Sequence, residues 1–365
     1  MSAVGHAGSE AGWEIHRRDL AACRVAFGIA LLAIKVLEPA WIWSLPAPLL
    51  GGGAVEPSGF ALLPATAAMV AFRAAWTALG VALILGVAVP PVSIALALLG
   101  IVEAAWQAST GKINHHHIIT VALVLLAATG WGSPPHVFAR RAAGGDDPEP
   151  DDGGIDARAR ALGIHLLATA IALYLLSGAL PKVASGWLDP SRRAVPYHAL
   201  LRAVASYGRL STITGNWALF HLPGWSWEVL DWATIAIEGG LVLLLRRPAR
   251  FRDLLACALV LHGGIAFMLS IPYWSAPLSY LPVMLSGRSA RDGSLVDRLR
   301  SAPAGVRLGL LLGALAMLAA IPLVGQATEP AAVLEFWICE VGAVLGLGHL
   351  AASAARLAGL VPVRD

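Results

Sequence analysis

Ionisable side chains occur inside stretches apolar enough to do without them. Lys35, Glu38, Glu103, His165, Asp231, Glu238, His262, Glu335, Glu340 and His349 all lie within long hydrophobic runs, where a charge is costly and is kept for a task. Lys182 stands at the end of such a run, in Ser177-Gly178-Ala179-Leu180-Pro181-Lys182, with Trp187 five residues on. The only lysines among 26 basic residues are Lys35, Lys112 and Lys182. An arginine stays charged at any working pH, whereas a desolvated lysine can give up its proton. A lysine kept in so arginine-rich a chain therefore suggests proton abstraction by an amine. The structural alternative is a cation at a helix end, with its stem in lipid and its head in water.

The other ionisable groups sort by spacing. Lys35 and Glu38 are three residues apart and can pair on one helix face, near an interface. Asp231 and Glu238, seven apart, share a side; Glu238, followed by Gly239-Gly240, is the deeper and the more suggestive of a role. Glu335 and Glu340 diverge by about 140° and form no carboxylate pair. His349, near a helix end, snorkels or caps. In Asn114-His115-His116-His117, successive helical side chains point about 100° apart, so three adjacent imidazoles do not converge on one metal. No further pair with metal-ligand spacing supports them, and no metal is expected. One imidazole turned into an outer-leaflet cavity, as hydrogen-bond donor or proton relay, is the functional reading; interface decoration is the other.

The elements that position these groups follow from composition. The 365 residues are 57% hydrophobic and only 13% charged, with a mean hydropathy of +0.70, against about a quarter charged in a soluble domain. This excludes a soluble enzyme, a secreted disulfide scaffold, a disordered chain and a nucleic-acid binder. Cys23, Cys257 and Cys339 lie singly in apolar surroundings and read as small buried hydrophobes. No apolar core bordering a small-residue cleavage site precedes His16-Arg17-Arg18-Asp19, so no cleavable signal peptide is expected.

Segments long enough to cross a bilayer, about 20 residues, fall near 20–44, 67–89, 91–109, 115–133, 160–181, 227–245, 253–272, 308–325 and 333–355. A shorter run, 276–286, is interrupted by prolines and is a kinked further span or a re-entrant piece. The expected fold is all-α, a polytopic integral membrane bundle of about nine or ten transmembrane helices. With the N-terminus inside and ten spans, most basic residues fall in inside loops. Both termini are then cytoplasmic, in the inner membrane of a bacterium. Residues 1–18 form the cytoplasmic N-terminus and 134–160 a flexible acidic cytoplasmic linker. Residues 182–226, rich in Trp and Tyr and carrying Lys182, Arg192, Arg193, Arg202 and Arg209, form an extracytoplasmic segment of short helices at headgroup depth. Residues 291–365 form a C-terminal transmembrane hairpin.

Four stretches carry a resemblance. These are 19–28, an opening with an arginine in a small-residue-rich first span; Lys112-Ile113-Asn114-His115-His116-His117; Tyr174-Leu175-Leu176-Ser177-Gly178-Ala179-Leu180-Pro181-Lys182 through Trp187; and His262-Gly263-Gly264-Ile265. Together, over roughly 15–290, they resemble the vitamin K-dependent gamma-glutamyl carboxylase and the bacterial proteins that share its horizontally transferred transmembrane (HTTM) domain. The lysine-to-tryptophan stretch is the most specific of the four.

The resemblance implies a domain over 19–290 and a lysine that deprotonates reduced vitamin K. Oxygen then converts the quinol to an epoxide through a strongly basic alkoxide, which removes a glutamate γ-proton so that carbon dioxide can add. Carried over, Lys182 is the base and His116 the assisting histidine, with a one-residue latitude to His115 or His117. Asn114, Trp187, Glu238 and His262 are supporting candidates. The implied cofactor is a reduced quinone, such as menaquinol or a vitamin K hydroquinone; the implied partners are the lipid bilayer and an exported peptide substrate. Two other classes remain: a non-catalytic membrane protein for maturation of, or immunity to, an exported peptide, and a transporter lined by the charged residues of spans 1, 6 and 10.

Overall fold

The computed structural model describes residues 12–37, 65–109, 117–132, 154–191, 194–205, 217–269, 271, 273–287 and 330–358. Among these residues the secondary structure is helical, with no strand. The helices are α1 (Arg17–Leu37), α2 (Ala65–Leu85), α3 (Val89–Ser109), α4 (His117–Ala127), α5 (Gly154–Ala184), α6 (Ala194–Ala205), α7 (Gly224–Gly240), α8 (Pro248–Leu269), α9 (Ser275–Leu285) and α10 (Pro330–Leu357). Among the described residues three stretches are long and apolar enough to cross a membrane: Ala157–Ala184 in α5, Pro248–Leu269 in α8 and Leu334–Leu357 in α10. Shorter apolar stretches lie in α2, α3, α4 and α9. α5 leaves Leu162, Leu166, Leu173 and Leu180 exposed at 53%, 46%, 53% and 60%. At 100° per residue these four fall on one stripe, an apolar face turned outward as lipid contact requires.

The described helices depart from the hydropathy segments where local chemistry intervenes. α5 starts at Gly154, inside the stretch expected as linker. Ala157, Ala159 and Ala161, which follow its start, are strong helix formers. α4 stops at Ala127, short of residue 133, because Gly130, Trp131 and Gly132 all take positive φ. The segment 227–245 is α7 followed by a 3-10 turn, Leu241–Leu244, after the Gly239-Gly240 pair. Segment 308–325, the first arm of the expected hairpin, lies outside the described residues, as do Glu38 and most of the acidic linker.

The chain divides into two compact units, Met1–Leu167 with Leu281–Ser301, and Ala168–Tyr280 with Ala302–Asp365. In the first, α1, α2, α3 and α4 pack in sequence, each against the next. The α2–α3 turn is short: Gly86, at φ +75°, donates to Leu83 O (3.2 Å) and Val87 to Ala82 O (2.9 Å), while Ala88 also takes positive φ. Prolines 90 and 91 follow in the first turn of α3, where missing amide protons cost nothing. Close approach is made at glycines: a Cβ at Gly28 would stand 2.7 Å from Ile84 Cγ1, and one at Gly100 2.8 Å from Thr120 Oγ1. Lys35 of α1 bonds Glu103 of α3 at 2.5 Å, an ion pair between helices; its expected partner, Glu38, lies outside the described residues. His165 stacks on buried Trp13, with ring centroids 5.3 Å apart.

In the second unit α10 runs antiparallel to α8. Asp253 meets His349, a Cβ on Gly346 would stand 2.6 Å from Ala256 O, and one on Gly263 would stand 2.5 Å from Ala343 Cβ. His349, expected to snorkel or cap, instead bonds Asp253 at 3.0 Å, because the antiparallel pairing brings that carboxylate alongside it. Gly342 and Gly346 form a G-x-x-x-G step on the packed face, the spacing that lets membrane helices approach backbone to backbone. α6 packs on α7 and α8.

Candidate active site

α5 ends in a turn that brings Trp187 back to Lys182. Gly186 adopts left-handed backbone, φ +86°. Its amide donates to Val183 O at 3.1 Å, and the Trp187 amide donates to Lys182 O at 3.1 Å. This crossed pair of bonds is a helix C-cap that needs glycine, or a residue tolerating positive φ, at the turning position; it sets the residue after the glycine beside the one five places earlier. The Lys-x-x-x-Gly-Trp spacing is thus a folding device before it is anything else. It lays the indole of Trp187 under the ammonium of Lys182, 5.2 Å from Nζ to the ring centroid, a cation–π contact.

Glu238 comes to the same point from α7. Lys182 Nζ donates to both carboxylate oxygens at 2.5 Å, the two side chains being 23% and 7% exposed. Gly178, one turn before Lys182, leaves room for the carboxylate: a Cβ there would lie 3.6 Å from Glu238 Oε2. A buried carboxylate with no counter-ion would pay the full desolvation penalty, and here it is met by charge and hydrogen bonds together.

Aromatic groups surround the pair. Tyr174 and Tyr280 lie within electrostatic reach of Glu238 and of each other, with Tyr273 beside Tyr174. The buried His262 contacts the rings of Tyr273 (5.2 Å) and Tyr280 (5.9 Å). On the more exposed side α6 contributes Tyr197 and His198. The imidazole of His198 is 5.8 Å from the Trp187 ring and 5.9 Å from that of Tyr197. Asp231 holds this helix: its carboxylate, 1% exposed as a residue, accepts the amide protons of Ala194 and Val195 at 3.1 Å each. Those amides open α6, where no intrahelical acceptor exists and a negative charge meets the positive end of the helix. Asp231 and Glu238 do share the buried side of α7, as their spacing requires, with different tasks: one caps α6, the other binds Lys182.

The structure therefore brings Lys182, Trp187 and Glu238 together, with His262 in the same unit next to Tyr280. His117 opens α4 in the first unit and is exposed; Asn114, His115 and His116 lie outside the described residues. His198 and the capping role of Asp231 were not singled out from the sequence, and Tyr174 entered only as the first residue of the stretch that carries the resemblance. Gly186, directly before Trp187, was the one local signal of the cap; the Asp231–α6 contact spans more than 30 positions and has no local signature. Among the described residues no three His, Cys, Asp or Glu side chains gather as a metal ion would need. No protein-family model, curated protein or solved structure matches the chain.

Proposed function

We propose that the chain is a ten-span protein of the bacterial inner membrane, both ends cytoplasmic. In this reading it acts on a reduced quinone in carboxylase- or epoxidase-like chemistry, with Lys182 as base. The observation that carries it is the two-point Lys182–Glu238 bond at the end of α5. A proton can pass along that bond to leave a neutral amine beside a carboxylic acid, a form that needs no buried charge. The amine is then competent to take a proton from an acidic hydroxyl, and Glu238 is the group that received the first one. The residues present fit a flat, lipid-soluble ring. Trp187 offers a half-buried indole face, Tyr197 an exposed ring, and Val183, next to Lys182, bare aliphatic surface on α5. Bound there, a reduced quinone supplies the acidic hydroxyl and the reducing electrons. The chain itself orients the ring, holds the proton and limits access of water.

Oxygen consumption by the purified protein with menaquinol tests this. Lys182→Ala and Lys182→Arg should both remove quinol-dependent uptake, the arginine variant because it keeps the charge but cannot shed the proton. Uptake unchanged in Lys182→Arg rejects the base. A second reading has one observation in its favour: the cap at Gly186 accounts for the Lys-to-Trp spacing as architecture. In that reading Lys182 and Glu238 only tie α5 to α7 in a non-catalytic membrane protein serving an exported peptide, and menaquinol uptake is absent from the unsubstituted protein as well.

A further inference from the structure

A second cluster lies where the two long helices of the second unit, α8 and α10, meet at Asp253 and His349. The 3-10 turn Leu241–Leu244 leads through Arg246 and Arg247 into α8, whose first turns carry Arg250 and Arg252. α10, antiparallel to α8, ends its last turn with Arg356. Arg246, Arg247, Arg250 and Arg356 are exposed. A polar network joins the two helices there. His349 Nε2 lies 3.0 Å from Asp253 Oδ1, the Ser353 hydroxyl donates to the same oxygen at 2.8 Å, and Arg356 Nη2 donates to Ser353 Oγ at 3.0 Å. Arg252 and Arg356 are both within electrostatic reach of His349. Among the described residues Asp253 is the carboxylate of this cluster; it is engaged by α10, and the guanidinium groups outnumber it.

Beside these cations stand two bare leucines, Leu243 at 81% and Leu357 at 91% exposure. A free phosphate ion would satisfy the arginines and leave the leucines in water. A phospholipid satisfies both. Its phosphate oxygens meet planar guanidinium donors, and its acyl chains cover the leucines. A zwitterionic headgroup returns a cation to a site already rich in them, so a net negative headgroup is favoured.

We propose that this end of the second unit, formed by the turn before α8 and the last turn of α10, binds an anionic phospholipid. The inference does not depend on the quinol chemistry. It is tested on the full chain in detergent by native mass spectrometry, titrating phosphatidylglycerol against phosphatidylcholine. Phosphatidylglycerol should be retained at about tenfold lower concentration, and the preference should shrink toward unity when ionic strength is raised about tenfold. Arg246→Gln/Arg247→Gln/Arg250→Gln should abolish it, while Arg158→Gln, an exposed arginine of the first unit, should leave it intact. Equal retention of the two lipids, a preference insensitive to salt, or a preference surviving in the triple variant overturns the proposal. So does displacement of the lipid by inorganic phosphate at equal concentration, which would make the site one for a free anion. If the triple variant does not fold, the salt series on the unsubstituted protein decides.

Discussion

Lys182 and Glu238 are unequally buried, 23% and 7% exposed, and that asymmetry governs what each substitution does. Removing the lysine strands a carboxylate in apolar surroundings; removing the carboxylate leaves an ammonium that still reaches partial solvent and the Trp187 face. Lys182→Met should therefore lower stability by about 2 kcal/mol and Glu238→Gln by less. The double variant Lys182→Met/Glu238→Met, which removes both charges, should cost less than the sum of its single replacements. Denaturant midpoints in one detergent check this; additive costs would mean that the two groups do not interact. The pair is also where the catalytic and structural readings part, since Lys182→Arg preserves the tie and removes only the deprotonatable amine.

At the scale of the helix, glycines determine how closely elements meet. Gly186 must adopt positive φ to close the α5 cap, so Gly186→Ala should cost about 1 kcal/mol. It should also raise the rate at which an amine-selective reagent modifies Lys182, read by peptide mass spectrometry, because the indole no longer covers the ammonium. A chain with so few lysines makes that readout clean. On α10, Gly346 and Gly348 are two residues apart and face opposite ways. A Cβ at Gly346 would meet the Ala256 carbonyl at 2.6 Å, while Gly348 has nothing within 4 Å. Gly346→Leu should lower the thermal midpoint by an amount equivalent to about 1–3 kcal/mol, and Gly348→Leu should leave it unchanged. Equal effects would contradict the α8–α10 packing. Asp231 works at this scale too, since its carboxylate decides where α6, with Tyr197 and His198, begins.

For the whole molecule, the proposed ten-span arrangement makes a sidedness prediction. With the native cysteines replaced by alanine, Ser191→Cys should react with an impermeant thiol reagent added to intact cells, and Arg158→Cys only after the membrane is opened. Labelling of both from outside, or of neither, would remove the topology on which an outward-facing Lys182 depends. Both positions are exposed, so burial would not mask the result.

Hydropathy and helical periodicity alone determine the helical class seen among the described residues and the shared face of Asp231 and Glu238. Each depends on residues within a turn or two of one another, where backbone geometry leaves little choice. Partner selection is another matter. Lys182 bonds a carboxylate 56 positions away, Lys35 bonds Glu103 on another helix, Asp231 caps a helix that starts 37 positions earlier, and His349 finds Asp253 rather than water. Those choices follow from which helices lie side by side and in what register. That depends on glycine-lined contacts summed over whole helices, and spacing along one strand of sequence carries no measure of it.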